Sequence, residues 1–155
     1  MQTALTLETF LSLLLAVALG AMVGVEREVT HKPAGLRTHM LVSLGAALFT
    51  IVSIIFSIDP ARIAAGIVAG IGFIGAGTIW AEKDKVKGIT TAASLWATAA
   101  IGLTAGIGDY PLAAVVTVLV VIILASGSVL RKIGLEKDQT DMKATTNFSS
   151  MWIKF

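Results

Sequence analysis

No cysteine occurs in these 155 residues, which excludes disulfides and thiol chemistry and leaves the redox compartment unmarked. Charge is scarce as well. Asp, Glu, Lys and Arg make up 14% of the chain, where a soluble domain carries about a quarter. The formal net charge of +2 is too small to point to nucleic acid as a partner. No glycine cluster leads into Gly-Lys-Ser/Thr, so there is no phosphate-cradling Walker loop, and no Ser/His/Asp or metalloprotease spacing is present. Nothing in the sequence supports an enzyme.

What the chain has in plenty is apolar side chain. At 55% hydrophobic and a mean hydropathy of +0.86, it reads as an integral membrane protein with too little left over for a separate soluble domain. Five apolar runs, about residues 5–25, 38–58, 61–81, 89–108 and 111–130, each approach the ~20 residues that cross a hydrocarbon core of roughly 30 Å. The first has no basic n-region, carries Glu8 early and is too long for a signal-peptide core, so it is a retained helix. Asp59-Pro60 and Asp109-Tyr110-Pro111 have the form of a helix cap followed by proline in the first turn. The fold expected is an all-α membrane bundle of five spans with a short tail, residues 133–155.

Basic residues set the orientation. With the N-terminus outside, Arg27, Lys32, Arg37, Lys83, Lys85, Lys87, Arg131, Lys132, Lys137, Lys143 and Lys154 all fall inside, leaving Arg62 alone outside among the 12. That asymmetry follows the positive-inside rule, with the C-terminus in the cytoplasm. The tail ends in Met-Trp-Ile-Lys-Phe, two aromatics around a lysine, which suits contact with headgroups.

The third run is unusual for a span, with Gly66, Gly70, Gly72, Gly75 and Gly77 inside it. Glycine lets other backbones pack close, which places this helix at the centre of the bundle. Two readings stay open: the glycines are packing surface, or Gly72–Gly77 loosens the helix and exposes backbone to a ligand. In the first run Ser12, Ala16, Gly20 and Gly24 recur every four residues and form one small-residue stripe. Thr91, Ser94 and Thr98 share a face of the fourth.

Polar chemistry gathers after the first run. Glu26, Arg27, Glu28, His31, Lys32 and Arg37 cluster where two helices meet the cytoplasm, and Arg37 is the expected ion-pair partner of Glu28. This is either a structural clasp or an ion site, with Glu26 and Glu28 as oxygen ligands for Mg²⁺ or Arg27 and Arg37 as an anion clamp. Asp59 and Arg62 stand at the start of the glycine helix, Arg62 on its Gly66/Gly70 stripe. No cofactor is required by any motif.

The runs GVEREVTHKPAGLRTHMLVSLGAALF, DPARIAAGIVAGIGFIGAGTIW and VKGITTAASLWATAAIGLTAGIG resemble the MgtC/SapB membrane-protein family over roughly residues 14–130. The resemblance implies a multi-pass protein of a bacterial or archaeal cytoplasmic membrane, linked to low-magnesium adaptation and, in pathogens, to survival inside host cells. It further implies regulation through partner membrane proteins, such as the F-type ATP synthase or phosphate-uptake systems. Many members carry a soluble C-terminal domain resembling an ACT fold; the sequence here stops soon after the fifth span, so functions needing that domain are not expected of it.

Three functional readings follow: a regulatory protein working through helix contacts in the bilayer, a small transporter or channel for Mg²⁺, phosphate or protons, and a structural subunit. Assembly into a homo-oligomer is expected. Finally, shifting the sequence by 53 residues sets Gly24 on Gly77, Lys32 on Lys85, Gly35 on Gly88 and Thr38 on Thr91. That register suggests a parallel repeat of helical pairs 1-2 and 3-4, with a crevice between spans one and three approached by Thr38 and Thr91.

Overall fold

Helix after helix, the chain follows its apolar runs, and each boundary has a local chemical cause. The computed structural model describes residues 6–56, 59–82 and 85–132, so the Met-Trp-Ile-Lys-Phe end lies outside the described residues. Residues 1–124 and 125–155 form separate compact units. The packing below is that of the first; the described part of the second is the end of the last helix.

Helix α1 (Leu7–Val29) starts where the Thr6 hydroxyl accepts a hydrogen bond from the Thr9 N–H at 3.1 Å. It runs four residues past the expected end, into the polar segment, and stops at Thr30. His31 (φ 54°) and Ala34 (φ 59°) then take the left-handed conformation and turn the chain back. Helix α2 (Leu36–Ile55) has Gly35 at its N-cap position and therefore no capping side chain of its own. Glu28 supplies one from the preceding helix: its Oε2 accepts from the Leu36 N–H at 3.0 Å. A carboxylate at a helix N-terminus satisfies an orphan donor and meets the positive end of the dipole.

Helix α3 (Pro60–Ala76) begins as expected, with Asp59 accepting from the Ala61 N–H at 3.1 Å and proline in the first turn. Its other end departs from expectation. The helix stops at Ala76, so at 1.5 Å per residue it is about 26 Å long, and does not continue to residue 81. Two glycines in three positions, Gly75 and Gly77, weaken the helix there. The β-branched and aromatic residues that follow favour extended backbone, and strands β1 (Trp80–Glu82) and β2 (Lys85–Lys87) pair antiparallel, Trp80 opposite Lys87. Gly88 (φ 91°) closes the hairpin so tightly that a Cβ there would overlap the Thr78 carbonyl. Helix α4 (Ile89–Gly106) and, after Gly108 (φ 87°) and the Asp109 cap, helix α5 (Tyr110–Lys132) complete the fold. Four of the five helices, α1, α2, α4 and α5, are long and apolar enough to cross a membrane.

The centre of the bundle is α2, not the glycine helix. Packing in lipid depends on close fit, because the surrounding tails are as apolar as the side chains. The close fits are all made to α2. A Cβ built on Gly20 of α1 would lie 2.7 Å from the His39 carbonyl oxygen, and one on Gly24 would lie 2.7 Å from Leu36 Cα. From α4, a Cβ on Gly102 would overlap the Ser43 backbone, and one on Gly106 would lie 2.8 Å from the Ala47 oxygen. By contrast, Gly66, Gly70 and Gly72 face open space, and Gly75 only reaches Ala92 of α4. Helix α3 thus sits at the edge, packed on α4 and α2 through Ile71. The expectation that α3 is central fails because abundance of glycine does not locate a contact; a partner backbone does.

Ala16, Leu19 and Val23 of α1, Ala47 of α2, Ile101 and Ala105 of α4, and Ala113 and Leu124 of α5 form the main core. Large apolar side chains such as Phe73 (87% exposed) and Ile123 (67%) point outward to where lipid would lie.

Two outcomes test this packing. Gly102→Val should cost at least about 1–3 kcal/mol, as overpacking does, whereas Gly70→Leu should be neutral or slightly stabilising through helix propensity; thermal unfolding in detergent reads both. Removing the borrowed cap with Glu28→Ala should cost about 1 kcal/mol, while Arg37→Ala, at an exposed position, should stay within about 0.5 kcal/mol.

Candidate functional site

Where α1 ends and α2 and α4 begin, polar side chains face inward. Residues 39, 43, 46, 47 and 50 fall at helical spacing on one face of α2, and His39, Ser43 and Thr50 stand among small alanines there, all buried. The opposing face of α4 presents Thr91, Ser94 and Thr98, also buried. His39 is fully enclosed, its Nδ1 2.9 Å from the Gly35 carbonyl oxygen and its Nε2 3.1 Å from Ser94 Oγ. The Ser94 hydroxyl in turn donates to the Thr91 carbonyl at 2.8 Å, and that of Thr98 donates to the Ser94 carbonyl at 2.8 Å.

From α1, Arg27 enters this junction 3% exposed and forms an ion pair with Glu26. Both are electrostatic neighbours of His39. A buried guanidinium needs such a partner, since an unpaired charge in this setting is costly. Among the described residues, two buried side-chain polar atoms have no partner, Glu26 Oε1 and Ser43 Oγ.

The remaining expected site residues lie apart. Glu28 is exposed and serves as the α2 cap, and Arg37 is exposed; among the described residues no ion pair joins them, because the Leu36 N–H takes the carboxylate. With Glu26 on Arg27 and Glu28 on Leu36, the two carboxylates face different partners. No group of three or more His, Asp or Glu that could hold a metal is found among the described residues. Thr91 is buried in the junction, while Thr38 is half-buried on the other side of α2. Asp59 caps α3, and Arg62 is exposed in its first turn. The crevice expected between spans one and three is not the site, since α2 and α4 occupy the middle.

His39 is the residue that sequence reasoning missed. It is the second residue of the second apolar run, directly after the polar segment, and carries no motif of its own. Its i, i+4 relation to Ser43, with the alanines and Thr50 beyond, was the available signal.

Two cavities flank the core. The larger, about 710 Å³, is an apolar groove between α2 and α3, lined by Gly45, Phe49, Gly66 and Gly70 with Thr38 and Arg62 at its edges. The smaller, about 220 Å³, lies around Glu8, Ser12 and Tyr110, where Ser12 Oγ and Tyr110 Oη are 2.8 Å apart. Outside the helices, the exposed hairpin pairs Glu82 with Lys87, whose hydrogen bond and charge hold the Glu82 carboxyl below its ordinary range.

Comparison with known proteins follows the membrane region. The profile of the MgtC family matches residues 13–133. Protein MgtC of Salmonella typhimurium strain LT2 is 45% identical over 135 residues, which is 86% of this chain and 57% of that protein. Protein MgtC of Brucella abortus is 48% identical over 112 residues, 71% of this chain and 47% of that protein. YhiD of Escherichia coli K12, whose name proposes it as a magnesium transporter, is 42% identical over 130 residues, covering 77% and 60%. The chain therefore spans about half the length of the curated relatives it matches. No solved structure matches. Identity at this level across α1 to α5 leaves one conclusion: the chain belongs to the MgtC family.

Proposed function

We propose that this protein is a non-enzymatic regulatory membrane protein, linked to low-magnesium adaptation, that works by helix contacts with other proteins of the bilayer. The observation that carries the reading is the open glycine face of α3. A Cβ added at Gly66, Gly70 or Gly72 would meet nothing among the described residues, and Gly66 and Gly70 line an apolar groove wide enough to admit another helix's side chains. Small residues allow close backbone approach in lipid, where van der Waals fit drives association. The partner is a second copy of the chain or another membrane protein, with the F-type ATP synthase and phosphate-uptake systems as the first to test.

The rest of the assignment belongs to the same reading. The protein sits in a bacterial or archaeal cytoplasmic membrane, N-terminus outside and C-terminus inside, with the Glu26–Arg27 junction at the cytoplasmic end. Helix α3 completes the crossing together with its hairpin, and pairs 1-2 and 3-4 descend from a parallel repeat.

A transporter is the second reading, and the buried His39–Ser94 contact favours it, since polar groups inside a membrane bundle often mark an ion path. Against conduction, the hydroxyls of Thr50, Thr98 and Thr117 each donate to a carbonyl four residues back in their own helix. They are satisfied locally and need no transported ligand.

Two measurements separate these readings. In proteoliposomes, flux of Mg²⁺, phosphate and protons should not exceed that of empty vesicles; saturable flux would establish the transporter instead. In a deletion strain at low magnesium, the parent chain should restore growth, and Gly66→Leu/Gly70→Leu, at equal membrane abundance, should not. Full rescue by the double variant would refute the contact face.

A further inference from the structure

The hydrogen bonds around His39 define a second property, independent of the contact face. Both ring nitrogens meet oxygen. The Gly35 carbonyl can only accept, so Nδ1 carries a proton in any state that keeps the 2.9 Å bond. A neutral ring here is consequently the Nδ1–H tautomer, with Nε2 a bare acceptor. Nε2 lies 3.1 Å from Ser94 Oγ, and that hydroxyl has one proton for two claimants, Nε2 and the Thr91 carbonyl at 2.8 Å.

Two complete arrangements follow. With the ring neutral, the Ser94 O–H turns toward Nε2. With Ser94 donating to Thr91, Nε2 must itself carry a proton and donate to Ser94, and the ring is an imidazolium. The two differ by one proton and one hydroxyl rotation, and no heavy atom needs to move. We propose that His39 is a proton-binding site in the core of the bundle, with Ser94 as the rotor that accommodates either state.

The charged groups around the ring are few. From α1 it is faced by the Glu26–Arg27 ion pair, Arg27 opposing a charge on the ring and Glu26 favouring one. Helix α4 brings no titratable side chain anywhere along Ile89–Gly106. On α2 the nearest charge is Arg37, which is exposed, and Glu28 is occupied with the Leu36 N–H. An imidazolium would therefore add the single net charge at this junction, beside the carboxylate of Glu26, whose Oε1 has no partner. Ser43 Oγ, one turn further along the same face of α2, is likewise unpartnered. The ring also sits at the closest α1–α2 approach: a Cβ on Gly24 would lie 3.2 Å from His39 Cβ. Proton occupancy is thereby registered where the two helices are held together.

The test uses the full chain carrying His31→Asn, which leaves His39 the sole imidazole and places asparagine, tolerant of left-handed backbone, at the exposed turn. In lipid nanodiscs with ¹⁵N-labelled histidine, ring resonances are followed by NMR from mildly alkaline pH down to the lowest pH at which the protein stays folded. The expected result is an Nδ1–H neutral tautomer at the start and a doubly protonated ring as pH falls. In Ser94→Ala on the same background, the Nε2 resonance should move while Nδ1 keeps its position. An Nε2–H neutral tautomer, ring signals unchanged across the whole range, or an Nε2 resonance indifferent to Ser94→Ala would each overturn the proposal.

Discussion

The structure depends on how closely the backbones of α1 and α4 can approach α2. Gly20 and Gly24 on α1 and Gly102 and Gly106 on α4 remove the side chains that would hold those helices apart, and the main chain of α2 fills the space. In water such a centre would be secured by expelling solvent. In lipid that drive between helices is absent, and dispersion across a close interface takes its place. The polar residues follow from the same constraint. With helices this close, His39 and Ser94 have no solvent and bond to backbone carbonyls and to each other, while Ser43 Oγ is left without a partner among the described residues. Glycine packing and the buried polar junction are thus two aspects of one contact.

That arrangement also assigns the remaining glycines. Gly66, Gly70 and Gly72 of α3 have no opposing backbone among the described residues, so they add little to the internal packing and lower stability slightly by weak helix propensity. Glycine retained on an open face, next to an apolar groove, is what a surface for another membrane helix requires. On the proposed function, the α2–α3 side is where a partner would dock, away from the close contacts of α1, α2 and α4. The proton site at His39 lies among those contacts, at the junction on which α1 and α2 are registered.

Much of the fold was legible in the sequence because membrane spans are written in composition. The helix starts at Asp59 and Asp109 were readable from cap-and-proline chemistry, which is local. The Ser12–Gly24 stripe on α1 was readable from period alone. What failed depended on partners distant in sequence. Gly66 and Gly70 look identical in sequence to Gly20 and Gly24, and only the tertiary arrangement shows which pair faces a backbone. Arg37 looked like the natural counter-ion of Glu28. The competing donor, the Leu36 N–H left bare by glycine at the N-cap, is visible only once α2 is known to start there. Similarly, the start of the hairpin at Trp80 was hidden at the end of an apolar run, long enough to pass for the last turn of a span.

The central claim is positional: α2 carries the close helix contacts of the core and α3 is peripheral. It is tested most directly by labelling the protein, one chain per nanodisc, with a carbene precursor dissolved in the lipid phase and mapping the adducts by mass spectrometry. The account predicts adducts along the exposed faces of α3 across residues 63–74, Val68 and Phe73 included, with Ile71, Ala47, Ile101 and Ala105 unlabelled. Protection of α3 over that stretch, with heavy labelling of the α2–α4 contact, would contradict it.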